Sequence, residues 1–343
     1  MASKMQIADL AFVAAGTPHS QQVAVLDEPG SISLKHALIP EPGDEEIRIK
    51  IHFVGICGSD VETYRGIRKP EFMTFPARLG HEVSGVIDRV GANVHTLKPG
   101  MKVSCRYVWG AFAEYIVCRP FNVKVVPDSF PDEEISSLEV LPGILHAAKL
   151  ADISANSRVL ITGQGVSGLV MTQVMALFSP RELVVTDLHA KNLELAKKYG
   201  ASHIYKIPSE HSSTMDILGK DFPEGFDVVI PCLLEGNGMI DALDACAFGG
   251  RIVMYGCIGP CTGEFDFFKM HKKRVDIFST EPKTDIAMRR YWQEGLQLVQ
   301  DGLVNTVEMV THKYPLAAVA EAFSLRDNKD AQGAIHILID CRT

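Results

Sequence analysis

The chain has 343 residues, of which 46% are hydrophobic, and a formal net charge of −8 at pH 7. This length suits two domains rather than a single core. The longest basic run is H-K-K-R at 271–274, which we interpret as a solvated face before a strand, so nucleic acid is not expected as a partner. No uninterrupted apolar stretch is long enough to span a membrane, and no membrane insertion is expected either.

The cysteines and the N-terminus both indicate a reducing compartment. Eight cysteines are too few and too irregularly spaced for a disulfide framework in a chain of this length. The first apolar patch is interrupted by Asp9 and preceded by a single lysine, Lys4, so it lacks the pattern of a secretory signal. We therefore expect a cytoplasmic protein.

Residues 24–127 contain short apolar or alternating runs separated by proline and glycine turns. In E-I-R-I-K-I-H-F-V, Ile47, Ile49 and Ile51 alternate with the period of a half-buried strand. Further strands are expected at A-V-L, I-S-L, V-S-G-V-I-D-R-V-G, M-K-V-S, A-F-A-E-Y-I-V and V-K-V-V-P. Many short strands at close spacing predict a β-rich, barrel-like domain.

Beyond residue 133 helices alternate with strands. A helix in two pieces, broken before Pro142, is followed by a buried strand, a glycine turn and an apolar helix. The strand L-V-V-T-D then precedes a helix that ends at Gly200. Further strands are expected at F-D-V-V-I-P-C, R-I-V-M-Y-G-C and V-D-I-F-S-T. This alternation predicts an α/β domain with a doubly wound parallel sheet.

The pattern changes again near residue 285, where a helical stretch is followed by V-E-M-V-T-H-K-Y-P and the strand A-I-H-I-L-I-D. We therefore expect a β-rich domain formed by residues 1–146 and 285–343, interrupted by a parallel α/β domain of residues 147–284.

The hexamer G-Q-G-V-S-G at 163–168 fits the dinucleotide-binding pattern G-x-G-x-x-G between a strand and a helix. Gly163 would permit the tight turn, Gly165 the approach of a pyrophosphate, and Gly168 the packing of helix on sheet. Asp187 ends the next strand, where a carboxylate accepts hydrogen bonds from ribose hydroxyls and repels a 2′-phosphate. This predicts NAD rather than NADP, although a plain strand-turn-helix with Asp187 as a helix cap has the same pattern.

Further cofactor contacts are expected beside the hexamer turn and at the ends of later strands, since ligands of such sheets lie outside their carboxyl ends. The additional predicted residues are Val166, Ser167, Leu188, Cys232, Tyr255, Gly256, Ser279 and Thr280.

A candidate metal site begins at Cys57, in V-G-I-C-G-S-D. His81 and Glu82 follow in L-G-H-E-V-S-G, and cysteine, histidine and glutamate are all zinc ligands. Each alone has an ordinary alternative: a buried thiol, a core histidine or a surface charge. Together, near glycines in a β-rich domain that precedes a dinucleotide fold, they predict a metal centre.

These motifs occur in the order G-I-C-G-S-D, L-G-H-E-V-S-G-V-I, L-K-P-G-M-K-V, G-A-F-A-E-Y and T-G-Q-G-V-S-G. The chain resembles the zinc-dependent medium-chain dehydrogenase/reductase family over nearly its whole length, and most of all the sorbitol and other polyol dehydrogenases. The resemblance implies a GroES-like catalytic domain and a Rossmann domain.

Cys57 and His81 match the family's fixed ligands of a catalytic zinc, and Glu82 matches the adjacent acid that can ligate zinc directly. The segment L-E-V-L-P-G-I-L-H-A places Glu139 at the third ligand position of the polyol branch, but Val140 stands where a proline is usual. Which of the two glutamates ligates zinc is left open.

A lobe with four cysteines, which binds a structural zinc in many family members, is absent before G-A-F-A-E-Y. One zinc per subunit is therefore expected. Tyr107 and Trp109 stand where the lobe would begin, and either line the substrate cleft or pack as ordinary strand residues.

The resemblance also implies a mechanism, in which zinc acts as a Lewis acid toward an alcohol and hydride passes to the nicotinamide. The glycines around Cys57 would let its thiolate reach the metal. Ser59 would begin a proton relay from the alcohol, or make only a turn hydrogen bond. Asp60 is expected to bond backbone groups or the His81 ring.

Glu281 would face the substrate, where an acid suits an amino-polyol or aminocyclitol. The alternative is a glutamate turned to solvent or paired with Lys283.

The leading hypothesis is an NAD- and zinc-dependent dehydrogenase that interconverts a secondary alcohol and a ketone on a polyol, sugar or cyclitol, as a homodimer or homotetramer. A zinc-free quinone or enoyl reductase and a non-catalytic structural homologue are the alternatives. Both are disfavoured by the retained ligands and the intact glycine turn.

Overall fold

The computed structural model describes residues 10–68, 74–209, 212–233, 236–256, 263–280, 285–328 and 333–342. They form two compact units. One consists of the chain up to Glu139 together with the residues from Thr306 onward, and the other is the contiguous stretch Val140–Asn305. None of the helices in these ranges is long and apolar enough to cross a bilayer.

The elements of the described chain are numbered in sequence order. The strands are β1 (Phe12–Val13), β2 (Ser20–Glu28), β3 (Ser31–Leu38), β4 (Ile47–Gly55), β5 (Glu82–Val90), β6 (Lys102–Cys105), β7 (Tyr115–Cys118), β8 (Val123–Val125), β9 (Arg158–Thr162), β10 (Glu182–Asp187), β11 (His203–Lys206), β12 (Phe226–Pro231), β13 (Cys246–Met254), β14 (Asp276–Ser279), β15 (Val310–Pro315) and β16 (His336–Asp340). The helices are α1 (Gly58–Tyr64), α2 (Asp132–Ser136), α3 (Leu141–Ala151), α4 (Val166–Ala176), α5 (Ala190–Lys198), α6 (Thr214–Leu218), α7 (Gly238–Ala245), α8 (Phe267–Lys273), α9 (Asp285–Gln300) and α10 (Val319–Asp327).

The first unit is β-rich. A seven-stranded sheet has the order β15-β16-β4-β5-β6-β8, with β7 also paired to β4, and a smaller sheet has the order β1-β3-β2. Ile47, Ile49 and Ile51 of β4 are fully buried, as their alternation predicts. β5 and β16 both run antiparallel to β4, and Gly55 at the end of β4 pairs with Glu82 and with Leu338. The C-terminal end of β4 therefore lies beside the N-terminal end of β5.

The segment A-F-A-E-Y-I-V forms a shorter strand than predicted. Only its second half belongs to β7. The first half pairs with β2 instead, because the Ala24 N–H donates to the Phe112 carbonyl at 2.8 Å and Val23 forms a bridge with Ala113. The chain passes from one sheet to the other within the predicted strand. The alternation of apolar and polar residues does not indicate such a change.

The second unit has one parallel sheet of order β11-β10-β9-β12-β13-β14. Successive strands run outward from β9 on one side and then from β12 on the other, so the strand order reverses between β9 and β12. This is the doubly wound Rossmann arrangement, and its ligand position lies at that reversal. The α/β fold expected from the sequence is confirmed.

The unit boundaries differ from those expected. The structure divides the chain at 139/140 and 305/306, whereas the sequence placed boundaries at 146/147 and 284/285. Both α3 and α9 pack within the second unit. His146 Nδ1 donates to the Thr280 carbonyl at 2.9 Å and its ring stacks on Tyr291, while Leu141 contacts Gly295. Because these contacts join residues far apart in sequence, the local sequence pattern at either boundary does not indicate them.

The basic run H-K-K-R ends α8, and one of its members has a specific role. Lys273 Nζ donates to the carbonyls of Leu243, Asp244 and Cys246, at 3.0, 2.9 and 2.7 Å, where α7 ends. A lysine in this position caps the helix and meets the negative end of its dipole. The run is therefore more than a solvated face.

Lys273→Met is expected to lower the free energy of unfolding by about 1.5–3 kcal/mol, the range for hydrogen bonds that involve a charged group. Urea denaturation would measure it. Lys272→Met is the matched control, because Lys272 lies over the Phe268 ring and makes none of these bonds. Equal denaturation midpoints for the two variants would show that the cap contributes nothing.

Candidate metal centre and cofactor site

Three predicted ligands converge in the first unit. The Cys57 thiol, a ring nitrogen of His81 and a carboxylate oxygen of Glu82 all lie within 4.8 Å of one another. Cys57 follows β4 and is the N-cap residue of α1, while Glu82 begins β5. Because Gly55 pairs with Glu82 across the sheet, the local strand register brings the two segments together.

Asp60 links the same two segments and is fully buried. Its carboxylate accepts hydrogen bonds from the Cys57 N–H and the Gly80 N–H, both at 3.0 Å. His81 Nδ1 lies 3.6 Å from the carboxylate, too far for a good hydrogen bond. The expectation that Asp60 bonds backbone groups is confirmed, and one side chain fixes the spacing of two candidate ligands.

Glu82 has a buried partner that the sequence analysis missed. His336 Nε2 lies 2.9 Å from the Glu82 carboxylate, and the other ring nitrogen lies 3.3 Å from Ser137 Oγ. Both His336 and Glu82 are almost completely buried. The only sequence signal is a histidine within the apolar strand A-I-H-I-L-I-D, which is also what a simple core histidine looks like.

This pair corrects our interpretation of the glycines around Cys57. A Cβ at Gly55 would collide with the side chains of Glu82 and His336, whereas a Cβ at Gly58 would meet open space. Gly55 is therefore required by the buried glutamate–histidine pair. It does not serve to give the thiol access to a metal.

The pKa values of the three candidate ligands are shifted because buried ionisable groups lie close together. Burial raises the pKa of Glu82, but hydrogen bonding and charge interaction with His336 outweigh it and the net pKa is lowered. Burial and the nearby Glu82 charge raise the pKa of Cys57. Burial lowers the pKa of His81, yet the Asp60 carboxylate and the Cys57 thiol bring it well above the ordinary value. A divalent cation would reverse this order, because coordinating thiols and imidazoles lose their protons.

The donor set fits zinc. Sulfur, nitrogen and oxygen donors from three side chains are the composition of a catalytic zinc site, which keeps a fourth position for water or substrate.

Glu139, the other predicted ligand, lies outside this group of three. Arg106 Nη1 donates to the Glu139 carbonyl at 2.9 Å, and Arg106 Nε lies 3.7 Å from its carboxylate. Burial raises the pKa of Glu139 despite the Arg106 charge, and His81 and Glu82 are close enough to influence it. Its role as a ligand stays a prediction.

The predicted substrate residues differ in how closely the structure places them to the candidate metal ligands. The Trp109 ring lies 4.4 Å from the His81 ring, centroid to centroid, beside the candidate ligands. Tyr107 lies under the guanidinium of Arg106 at 4.7 Å. Ser59 is buried in the first turn of α1, two residues after Cys57. Glu281 lies outside the described residues.

In the second unit the glycine turn has the geometry that its spacing predicts. Gly163 has φ +84°, which favours glycine, and a Cβ at Gly168 would collide with the Gly163 carbonyl. Gly165 caps α4 with open space beside it, and Val166 and Ser167 form the first turn of that helix. The partly exposed N-terminus of this 11-residue helix is suited to phosphate groups.

Asp187 ends β10 beside this turn, with Leu188 directly after it. Its carboxylate accepts hydrogen bonds from the Gln164 N–H at 2.6 Å, the His189 N–H at 2.7 Å and the Asn192 amide at 3.2 Å. Asp187 thus connects the turn to the start of α5, a structural role beyond the predicted contact with ribose. The Asp187 carboxylate lies at the carboxyl end of β10.

The remaining predicted cofactor residues lie where strands end. Cys232 follows β12 and its N–H donates to the Thr162 carbonyl at 2.9 Å, while the Gly256 N–H donates to the Pro231 carbonyl at 3.1 Å. Thr280 Oγ1 donates to the Met254 carbonyl at 2.9 Å. The placement of these residues, with Tyr255 after β13 and Ser279 closing β14, agrees with the sequence pattern.

Known proteins resemble this chain in both units. Residues 43–128 match the model of the alcohol dehydrogenase GroES-like domain, and residues 168–301 match that of the zinc-binding dehydrogenases. Sorbitol dehydrogenase of Gallus gallus is 30% identical over an alignment of 353 positions, which covers 92% of this chain and 95% of the relative. D-xylulose reductase of Saccharomyces cerevisiae is 30% identical over 341 positions, covering 89% and 93%.

Solved structures give the same fold. Galactitol-1-phosphate dehydrogenase of Escherichia coli superposes with a TM-score of 0.80 at 23% identity, over 93% of this chain and 99% of that one. The two-unit architecture is thus shared with this dehydrogenase.

The chain belongs to the zinc-dependent medium-chain dehydrogenase/reductase family. Within that family of enzymes it is similar, over nearly its whole length, to sorbitol dehydrogenase and D-xylulose reductase. The resemblance drawn from the sequence motifs is confirmed.

Proposed function

We propose that the protein is a zinc- and NAD-dependent dehydrogenase that interconverts a secondary alcohol and a ketone on a polyol, sugar or cyclitol. The observation that carries this proposal is the convergence of Cys57, His81 and Glu82 within 4.8 Å. The polyol class is supported by the similarity to sorbitol dehydrogenase and D-xylulose reductase.

Cys57, His81 and Glu82 would hold one zinc ion, with Glu139 as a further candidate ligand. Bound there, zinc supplies the Lewis acidity that lowers the pKa of a substrate hydroxyl. Asp60 keeps the two ligand-bearing segments at a fixed spacing through its bonds to backbone N–H groups. Ser59 Oγ would accept the hydroxyl proton while its own hydroxyl proton passes to water.

His336 would keep one oxygen of the Glu82 carboxylate occupied, so that the other oxygen is oriented toward the metal. Trp109, packed against His81, would form part of the substrate site together with Tyr107. Through these contacts some side chains hold the metal, others orient its ligands, and Ser59 transfers a proton.

The second unit would bind NAD. The turn from Gly163 to Gly168 and the N-terminus of α4 would receive the pyrophosphate. Asp187 would accept hydrogen bonds from the ribose hydroxyls, and its charge would disfavour the 2′-phosphate of NADP. Since β14 is the last strand of its sheet, its outer edge is available for pairing in the homodimer or homotetramer that we expect.

The experiment is to measure zinc content and cofactor reduction on one chelator-free preparation, with polyols, cyclitols and simple alcohols as substrates. We expect about one zinc per chain and reduction of NAD in preference to NADP with a polyol-type alcohol. A chelator should remove the activity and added zinc should restore it. A metal-free protein that oxidises no alcohol would contradict the proposal.

A further inference from the structure

Three arginines of the first unit carry charges that the described chain does not neutralise. Arg68, Arg78 and Arg326 each have a guanidinium nitrogen that is shielded from solvent and has no hydrogen-bond partner within the described ranges. No carboxylate in those ranges lies within 4.0 Å of any of the three. Elsewhere in the unit Arg48, Arg65, Arg89 and Arg106 all have acidic partners.

Shielding a cation without a counterion is costly, and such groups need an explanation. Burial lowers the pKa of Arg78 to about 10 and also lowers that of Arg326. All three side chains are partly exposed, but the one unpartnered nitrogen of each is shielded from solvent. An anion bound from outside the chain would supply the partner that the described residues lack.

Arg68 and Arg78 contact the segment that packs against His81 of the candidate metal centre. The Arg68 guanidinium lies 5.6 Å from the centre of the Trp109 ring, and the same ring lies 4.4 Å from that of His81. Arg68 and the candidate ligand His81 thus both lie close to the same indole. Arg78 Nη2 donates to the carbonyl of Gly110, the residue after Trp109.

Arg326 approaches from α10, near enough for the charges of Cys57, Glu82 and Asp60 to influence it. None of these groups is free to pair with it. The Asp60 carboxylate accepts from two backbone N–H groups, and Glu82 is held by His336. Cys57 belongs to the candidate ligand group.

We propose that the alcohol substrate carries an anionic group, a phosphate monoester or a carboxylate, and that Arg68 holds this group with help from Arg78 and Arg326. The inference rests on the proposed function, since it describes the substrate of that site. Guanidinium groups bind both kinds of oxyanion through paired N–H donors, and Arg68 Nη1 has no hydrogen-bond partner among the described residues.

The substrate inferred here is negatively charged, whereas the amine-bearing substrate predicted from Glu281 would be positively charged. A polyol phosphate or a sugar acid would place its charge beside the arginines, while one of its hydroxyls reaches the metal centre. A neutral polyol would leave all three guanidinium groups without a hydrogen-bonded oxyanion, and a positively charged one would be repelled.

The first test compares kcat/KM for D-glucitol, D-glucitol 6-phosphate, D-gluconate and an amino-polyol with the zinc-loaded enzyme. An anionic compound should exceed D-glucitol by about tenfold or more, the factor that corresponds to one charged hydrogen bond. The phosphate and carboxylate compounds distinguish the two kinds of anion. Equal or better turnover of neutral or amino substrates would overturn the inference and leave the dehydrogenase proposal standing.

The second test does not depend on turnover. Calorimetric titration of the zinc-loaded protein with inorganic phosphate should show saturable binding that weakens about tenfold or more in Arg68→Gln. Arg68→Lys, which keeps the charge, should retain part of it, and Arg326→Gln should also weaken it. Arg89→Gln is the matched control, because Arg89 is an exposed arginine of the same unit paired with Glu41.

The outcomes separate the two proposals. Arginine-dependent phosphate binding without oxidation of any alcohol would support the anion site and contradict the dehydrogenase. Phosphate binding that is absent, or unchanged in both Arg68→Gln and Arg326→Gln, would overturn the anion site, since the anion would then be held by the metal alone or not at all.

Discussion

Replacing Cys57 with alanine is expected to leave the protein without bound zinc and to lower kcat by about 10³-fold or more. Lewis acid stabilisation is worth several kcal/mol, and each 1.36 kcal/mol corresponds to a factor of ten. Cys57 is the only sulfur in the candidate group, and the two remaining donors cannot complete a zinc site of this type. Elemental analysis and steady-state kinetics on the same preparation would measure both effects.

Cys118→Ala is the matched control for this variant. Cys118 is a buried cysteine of β7 in the same unit and is not part of the candidate group. It should retain zinc and activity even if the fold is somewhat less stable. A Cys57→Ala protein with a full complement of zinc and wild-type turnover would remove the basis for the metal centre.

Asp60→Asn is expected to weaken zinc binding by about 10- to 100-fold, the usual cost of losing a residue that orients metal ligands. The carboxylate accepts from Cys57 on one side and Gly80 on the other, and an asparagine has only one oxygen to offer. One buried N–H therefore loses its partner, and the free energy of unfolding should fall by about 1–3 kcal/mol.

Competition with a chelator of known affinity would give the zinc constant, and thermal melting of the chelated protein would give the metal-independent loss. Asp327→Asn is the control, because it also removes a carboxylate from the first unit, but one whose ion-pair partner is the exposed Arg65. The bridging role of Asp60 would be refuted if both variants bound zinc as tightly as the wild type.

Much of the fold could be predicted because its signals are local. Ile47, Ile49 and Ile51 alternate within one strand, and the glycine hexamer lies within six consecutive residues. The spacing between Cys57 and His81 was informative because both flank strands that pair directly. Where strand register alone brings residues together, a pattern in the sequence is sufficient.

The partners of those residues could not be predicted. His336 lies 254 positions from Glu82 in the sequence. The Arg68 guanidinium lies 5.6 Å from the centre of the Trp109 ring, although these two residues are also far apart in sequence. A histidine in an apolar strand and an arginine in a turn are unremarkable by composition. Only tertiary packing shows that the histidine has a buried carboxylate beside it, and that the arginine has none within 4.0 Å in the described parts of the chain. The same limit explains the displaced unit boundaries, where α3 and α9 meet only in three dimensions.

The pairing of Glu82 with His336 has a consequence for biosynthesis. Residues 140–305 are contiguous and can fold as soon as they leave the ribosome, whereas the first unit waits for β15 and β16. The 254 residues between Glu82 and His336 take roughly 13–50 s to synthesise at 5–20 residues per second. During that interval the nascent chain presents the Cys57 thiol without a finished pocket around it. A metal centre at Cys57, His81 and Glu82 would therefore gain its buried Glu82–His336 pair only after translation of the last strand.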